Sequence, residues 1–282
     1  MTKLRDLLEL VRAPAALSVP GDVVAGAAAG GVLGPRTAGL ACSSVCLYWA
    51  GMAANDWADR RLDAVERPER PIPSGRVSAN MALGTAVALT AAGVAVAGLA
   101  GGRRALAVAA PLAAAVWAYD VVAKNTPAGP LAMALCRGLD VLLGASPGTA
   151  TAAALPPAAT IAAHTYLLTT LSRSEVSGAD PRLPAATLAG TVALTATTAR
   201  AGAGTAPAAL AGWYAAQFGV PQARAVADPS AGRVRDAVSA GIVSLPALQG
   251  ALTARGGAPR LALALAAAAP LARRLVRKIA AT

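Results

Sequence analysis

Asn55, Asp59 and Asp63 recur at every fourth position in the segment NDWADRRLDAVERPERPIPSG, Asn55 to Gly75. On a helix that spacing sets three oxygen-bearing side chains along one face. Asp56 lies three residues before Asp59 and seven before Asp63, close to the same stripe. Carboxylates packed this closely repel one another, and a divalent cation relieves the conflict. Hard oxygen donors that leave positions for water and phosphate suit Mg²⁺. Arg60, Arg61, Arg67 and Arg70 follow at once, and guanidinium groups are bidentate phosphate donors. Pro68, Pro71 and Pro73 cannot continue a helix, so a rigid loop is expected after it. By charge composition alone the stretch would be a salt-bridged loop. The order of its residues favours a cation and phosphate site.

The elements that carry this segment are apolar. The chain of 282 residues is 56% hydrophobic and 14% charged, with mean hydropathy +0.54; soluble domains carry about 25% charged residues. Ten apolar runs, at roughly 13–34, 37–54, 79–100, 105–123, 131–153, 155–171, 183–199, 205–221, 237–254 and 259–272, are near the length of about 20 residues that crosses a bilayer. The fold class expected is all-α, a polytopic membrane helical bundle forming one domain over 1–282. Residues 1–12 place Leu4, Leu7, Leu8 and Val11 at helical spacing, which predicts an amphipathic interfacial helix rather than a signal peptide. Residues 55–78 are expected as an Asp-rich loop, and 259–282 as an extra helix with a basic tail.

Lys and Arg fall unevenly between alternate connections. Eighteen lie in one set, which includes both termini and the Asp-rich segment, and six in the other: Arg36, Arg103, Arg104, Arg200, Arg255 and Arg260. The bias puts the first set in the cytoplasm. It also accounts for the net charge of +11 without a nucleic-acid partner, since there is no continuous basic face. Cys42, Cys46 and Cys136 make no metal or redox spacing and are expected as small packing residues.

Polar groups inside spans are costly and mark candidates for function. Asp22, Arg137, Asp140 and His164 are the clearest. Arg137 and Asp140, three apart, are placed to pair on one helix face. His164, the one histidine, is expected as a satisfied packing residue, and GAAAG at Gly26–Gly30 as a helix-packing surface.

The pattern N-D-x-x-D-x-x-x-D followed by R-P-x-R-P-x-P-S-G resembles the first signature of the UbiA superfamily of intramembrane prenyltransferases. YDVVAKNTP, with Tyr119 and Lys124, resembles its Tyr/Lys feature. The resemblance implies nine helices around a central membrane cavity, hence nine to ten transmembrane helices here. It implies Mg²⁺-dependent transfer of a prenyl group from a polyprenyl diphosphate to a small, often aromatic, acceptor at the bacterial inner (cytoplasmic) membrane, with the Asp-rich loops and both termini cytoplasmic. In this reading Asp56, Asp59, Asp63 and Lys124 are catalytic. Arg67, Arg70, Tyr119, Lys124, Arg137 and Arg173 face diphosphate, and Asn55, Asp59, Asp63, Glu175 and Asp180 hold metal. The family's second Asp-rich run is replaced by LSRSEVSGAD, so Arg173 is expected to stand in for cation charge. This departure and the tenth span are similar to an EboC-like bacterial subfamily. The alternatives are a non-catalytic isoprenoid-binding or transport component and an intramembrane terpene cyclase.

Overall fold

The computed structural model describes residues 3–13, 18–200 and 204–267. All regular structure among them is helical: α1 (Leu4–Leu10), α2 (Pro20–Ala29), α3 (Pro35–Glu66), α4 (Ala79–Ala118), α5 (Gly129–Ala145), α6 (Leu155–Ser172), α7 (Arg182–Ala199), α8 (Thr205–Ala227) and α9 (Ala231–Arg255). Residues 259–267 are helical as well. A π-helical turn, Tyr119–Ala123, extends α4, and a 3₁₀ turn, Thr151–Ala154, leads into α6. Alanine supplies most of the helix propensity. Proline in the first turn starts α2, α3, α5 and α6, where its missing N–H costs nothing.

Helix α4 is two arms rather than one rod. Gly102 within it has φ 67°, a left-handed conformation that glycine adopts without steric cost. Trp117 Nε1 donates to Thr90 Oγ1 at 3.0 Å across 27 residues, so the arms run antiparallel on either side of Gly102. The apolar runs 79–100 and 105–123 are therefore separate helical arms.

Each of the other apolar runs also contains a helix. The segments Pro35–Glu66, Ala79–Ala123 and Ala231–Arg255 are long and apolar enough to cross a membrane. The first run is the exception in length. Within the described residues it is helical over ten positions, roughly 15 Å, and Gly30, Gly31 and Gly34 close it. Of the expected 259–282 extension, residues beyond 267 lie outside the described part.

Helix α2 is buried on α5 and α9 through small residues. A Cβ on Gly26 would stand 1.8 Å from the Val141 carbonyl oxygen, and one on Gly144 would stand 1.9 Å from that of Val23. The Gly26–Gly30 stripe is thus a packing surface, as read from sequence. At the far end of α2, Gly256 abuts the backbone of Ala28. Leu40 and Leu47 of α3 pack against Ala97, Ala109, Leu112 and Val116 of both α4 arms. A second core joins Ile161, Tyr214, Phe218, Leu245 and Leu248.

Helix α1 packs one side on the bundle and leaves another exposed. Leu10 is fully buried against Ala53, Ala54, Val77 and Ala82, with Leu7 beside it, whereas Leu4 and Leu8 are exposed. Leu7 and Leu10, three apart, share the buried face, and Leu4 lies beyond its edge at the start of the helix.

Candidate active site

Helix α3 runs unbroken to Glu66, because Pro68 is the first residue after the apolar part that must stop it. Residues 55–66, expected within a loop, are therefore helical, and the irregular part begins at Arg67. Asp56 and Asp63, seven apart and so on one helix face, are buried at 4% and 3% exposure, while Asn55 and Asp59 are half-buried. Arg70 folds back from the proline loop, its Nη1 lying 2.6 Å from Asp63 Oδ2 and 3.4 Å from Asp56 Oδ1. Ser74 Oγ donates to the Arg70 carbonyl at 2.6 Å, and the Val77 N–H donates to that of Pro71 at 2.9 Å, fixing the loop. Arg60 lies over the Trp57 ring. Arg67, expected on diphosphate, is exposed and makes no ion pair among the described residues.

The π-helical turn after α4 faces this row. Lys124 Nζ stands 2.6 Å from Asp59 Oδ2, and Asn55 Nδ2 donates to Asp120 Oδ1 at 3.1 Å. Asp120 is a buried carboxylate missed by the sequence reading. Its signal was its place four residues before Lys124, which puts both on one helix face. Gly51 makes room for it, since a Cβ there would lie 2.7 Å from Asp120 Oδ2. Arg12 was also missed: its Nη2 lies 2.7 Å from Asp56 Oδ1. No local pattern reveals a partner 44 residues away.

Asp120 and Tyr119 sit at the polar end of a narrow cleft of about 30 Å³, otherwise lined by Tyr48, Gly51, Met52, Val116, Met133 and Cys136. Anionic and cationic side chains thus crowd one end of a mainly apolar slot.

Helix α1 is clamped beside the site. Arg76 binds Glu9 through both Nη atoms, at 2.6 and 2.8 Å, and Asp6 at 3.1 Å. The Lys3 backbone N–H, followed by the Arg76 guanidinium, holds the Asp6 carboxyl below its ordinary value. The hydrogen bond from Arg76 does the same for Glu9.

The second expected segment is built differently. Arg173 Nη1 donates to the Thr126 carbonyl at 2.7 Å, tying the α6–α7 connection to the loop after Lys124. Arg235 Nη1 donates to the Glu175 carbonyl at 3.1 Å. Burial pushes the Glu175 carboxyl upward, partly opposed by Arg235. Asp180 Oδ1 accepts from the Arg182 N–H at 2.8 Å and serves the start of α7. Among the described residues no three Asp, Glu, His or Cys side chains converge on a metal-sized site. The expected metal set of Asn55, Asp59, Asp63, Glu175 and Asp180 is not gathered. Asp59 and Asp63 each hold a basic partner, and Asp180 caps a helix.

Arg137 is also placed differently from expectation. It belongs to a buried polar centre, with its Nε 2.7 Å from Asp22 Oδ2 and its guanidinium 5.6 Å from the centroid of the Tyr48 ring. The anticipated Arg137–Asp140 pair does not form; Asp140 accepts from Ser44 Oγ at 2.6 Å. The close approach at Gly26 and Gly144 presents Asp22 to α5, and Gln249 Nε2 secures it by donating to Asp22 Oδ1 and to the Ser18 carbonyl, both at 2.7 Å. His164 packs as expected, 3.0 Å from the Tyr214 hydroxyl and edge-on to Phe218.

The model of the UbiA prenyltransferase family matches residues 17–175, a span from before α2 to Glu175 that takes in the whole Asn55–Lys124 constellation. The chain belongs to the UbiA prenyltransferase family. Among curated proteins this UbiA chain is similar to a digeranylgeranylglyceryl phosphate synthase of Ignicoccus hospitalis, 41% identical over 143 residues covering 50% of this chain and 47% of that protein. The chain thus matches about half the length of such relatives. A solved digeranylgeranylglyceryl phosphate synthase structure superposes with a TM-score of 0.68 at 18% identity, covering 92% of this chain and 100% of that one. A UbiA homologue from Archaeoglobus fulgidus, solved with GPP and Mg²⁺, superposes with a TM-score of 0.53 at 12% identity, covering 93% and 99%. At these identities the two structures speak for the fold, a UbiA-type membrane helical bundle.

Proposed function

We propose that this chain transfers a prenyl group from a prenyl diphosphate to a small acceptor within the membrane, in a Mg²⁺-dependent reaction. The observation that carries the reading is the pairing of Lys124 with Asp59 and of Arg70 with Asp63 beside the cleft that opens at Asp120. Cations and hard oxygen donors stand together beside a narrow, mainly apolar slot. The family membership and the GPP and Mg²⁺ bound by the A. fulgidus homologue support the same substrate class.

The donor set fits a hard cation. Asn55, Asp59 and Asp63 offer amide and carboxylate oxygens, and Mg²⁺ takes one or two carboxylates while keeping positions for water and phosphate. When bound, Mg²⁺ neutralises charge that develops on the leaving diphosphate. Lys124 and Arg70 exchange their carboxylate partners for diphosphate oxygens, stabilising the same charge as the allylic C–O bond breaks. Tyr119 and the apolar cleft wall hold the chain and keep water from the carbocation. By the Lys and Arg bias this end faces the cytoplasm. Glu175 and Asp180 serve the second half of the site in this reading, with Arg173 beside them.

A second reading, an isoprenoid binder without transfer, is favoured by one observation: Arg173 is spent on the Thr126 carbonyl rather than turned to the carboxylate row. One assay separates the readings. The purified protein is given geranyl, farnesyl and geranylgeranyl diphosphates with and without Mg²⁺, and pyrophosphate and products are measured. Mg²⁺-dependent release that requires an acceptor supports transfer. Release without acceptor indicates a cyclase, and binding with no release under any condition sinks the enzyme reading.

A further inference from the structure

The end of the bundle opposite the Asp-rich row has an unusual charge pattern. Helix α3 carries Arg36 in its first turn and Asp63 in its last, so its 32 residues separate the two ends by roughly 48 Å. Close contacts at glycines bring several connections of this end together. Val32 meets Gly148, Pro147 meets Gly101, and Gly39 meets Ala100. The segments 30–36, 99–106, 146–154, 199–205 and 255–260 contain Arg36, Arg103, Arg104, Arg200, Arg255 and Arg260 and not one Asp or Glu. Among the described residues these arginines hydrogen-bond only to backbone: Arg104 donates to the Gly148 carbonyl at 3.2 Å and Arg255 to those of Thr197 and Thr198 at 3.2 and 2.8 Å. This face is therefore positive without internal compensation, on the side where the Lys and Arg bias predicts few cations.

The same end carries a concavity of about 370 Å³ between the second arm of α4 and the α5–α6 connection. Arg104 stands at it with Thr149 and Thr151, and Ala107 and Val108 form an apolar wall. The two hydroxyls make no hydrogen bond among the described residues. A guanidinium fork and free hydroxyls match the oxygens of a phosphate, and the apolar wall matches the start of an acyl chain.

We propose that this concavity binds the phosphate of an anionic phospholipid, a lipid site separate from the carboxylate row. The headgroup supplies the negative charge that the protein lacks at this end. Arg104 holds the phosphate, Thr149 and Thr151 donate to it, and Arg36 and Arg103 strengthen the field around it.

Native mass spectrometry of the full chain in detergent, titrated with phosphatidylglycerol or phosphatidylcholine, tests this. Phosphatidylglycerol adducts should exceed phosphatidylcholine adducts roughly fivefold, the factor expected for one arginine acting on an anionic lipid. Arg104→Gln should bring the two to parity, whereas Arg224→Gln, at the other end, should leave the preference intact. Equal retention of both lipids by the unsubstituted protein overturns the proposal, as does a preference that survives Arg104→Gln. Inorganic phosphate in excess should not displace the lipid; if it does, the site takes free phosphate and the lipid assignment fails. None of these outcomes depends on pyrophosphate release.

Discussion

Lys124 Nζ lies 2.6 Å from Asp59 Oδ2, joining the turn after α4 to the last two turns of α3. A cation and a carboxylate are thereby held where each can meet a diphosphate or its metal. Replacing Lys124 with Ala, or Asp59 with Asn, is expected to lower pyrophosphate release about 10²- to 10³-fold, the loss typical of removing one group that stabilises developing charge. Rates near those of the unsubstituted protein in Mg²⁺ would remove this pair from the chemistry.

Arg70 bridges Asp56 and Asp63 at 3.4 and 2.6 Å. Its removal leaves two buried carboxylates without their shared partner, a change that costs about 3 kcal/mol or more. Arg70→Ala should melt well below the unsubstituted protein, with Arg70→Lys intermediate because it keeps charge but loses the fork. Thermal unfolding in detergent checks both.

Gly26 and Gly144 let α2 and α5 touch through backbone. A Cβ at either lands within 2 Å of a carbonyl oxygen, so the helices must separate. Gly26→Ala and Gly144→Ala are each expected to cost about 1–3 kcal/mol or more, and to loosen the Arg137–Asp22 pair that this approach creates. Gly212→Ala, where a Cβ meets nothing within 4 Å, should be tolerated. Yields and melting temperatures of the three variants decide the matter.

The clamp on α1 is pH-sensitive in one direction. Asp6 and Glu9 have carboxyls depressed below their ordinary values of 3.8 and 4.5, so their contribution is full above those values. It is lost as pH falls through the lower folded values. Protection of the amides in residues 4–11, taken relative to their intrinsic exchange rates, should hold from pH 7 to 5 and fall toward pH 3. In Arg76→Gln protection should be low across the range. Equal exchange in both proteins at neutral pH would show that these ion pairs do not hold the helix.

Arg173 ties the second segment to the first through Thr126. If that cation also serves the diphosphate, Arg173→Ala should weaken diphosphate affinity and turnover together. Unchanged values for both would reduce it to a loop brace.

Much of the fold was legible because membrane helices advertise themselves: apolar runs separated by Gly, Pro and charge give element type directly. The Gly101–Arg104 stretch likewise separated the two arms of α4. Within the described residues the helix of the first run ends at Ala29, where Gly30, Gly31 and Gly34 follow; these glycines are as apolar as the residues before them, so apolarity alone does not mark that end. The carboxylate row was legible because its information is local, in a spacing of four.

What the sequence determined by itself is whatever depends on neighbours along the chain: the helices, the one-faced row from Asn55 to Asp63, the proline stop and the Gly26–Gly30 packing stripe. The tertiary structure decided which charges meet. It gave Arg137 to Asp22 instead of Asp140, brought Arg12 to Asp56, set Asp120 against Asn55 and left Glu175 and Asp180 outside a common metal cluster. Those choices follow from how closely α2, α3 and α5 approach. In a low-dielectric interior an ion pair forms wherever packing delivers two opposite charges, and that delivery is set by contacts far apart in sequence.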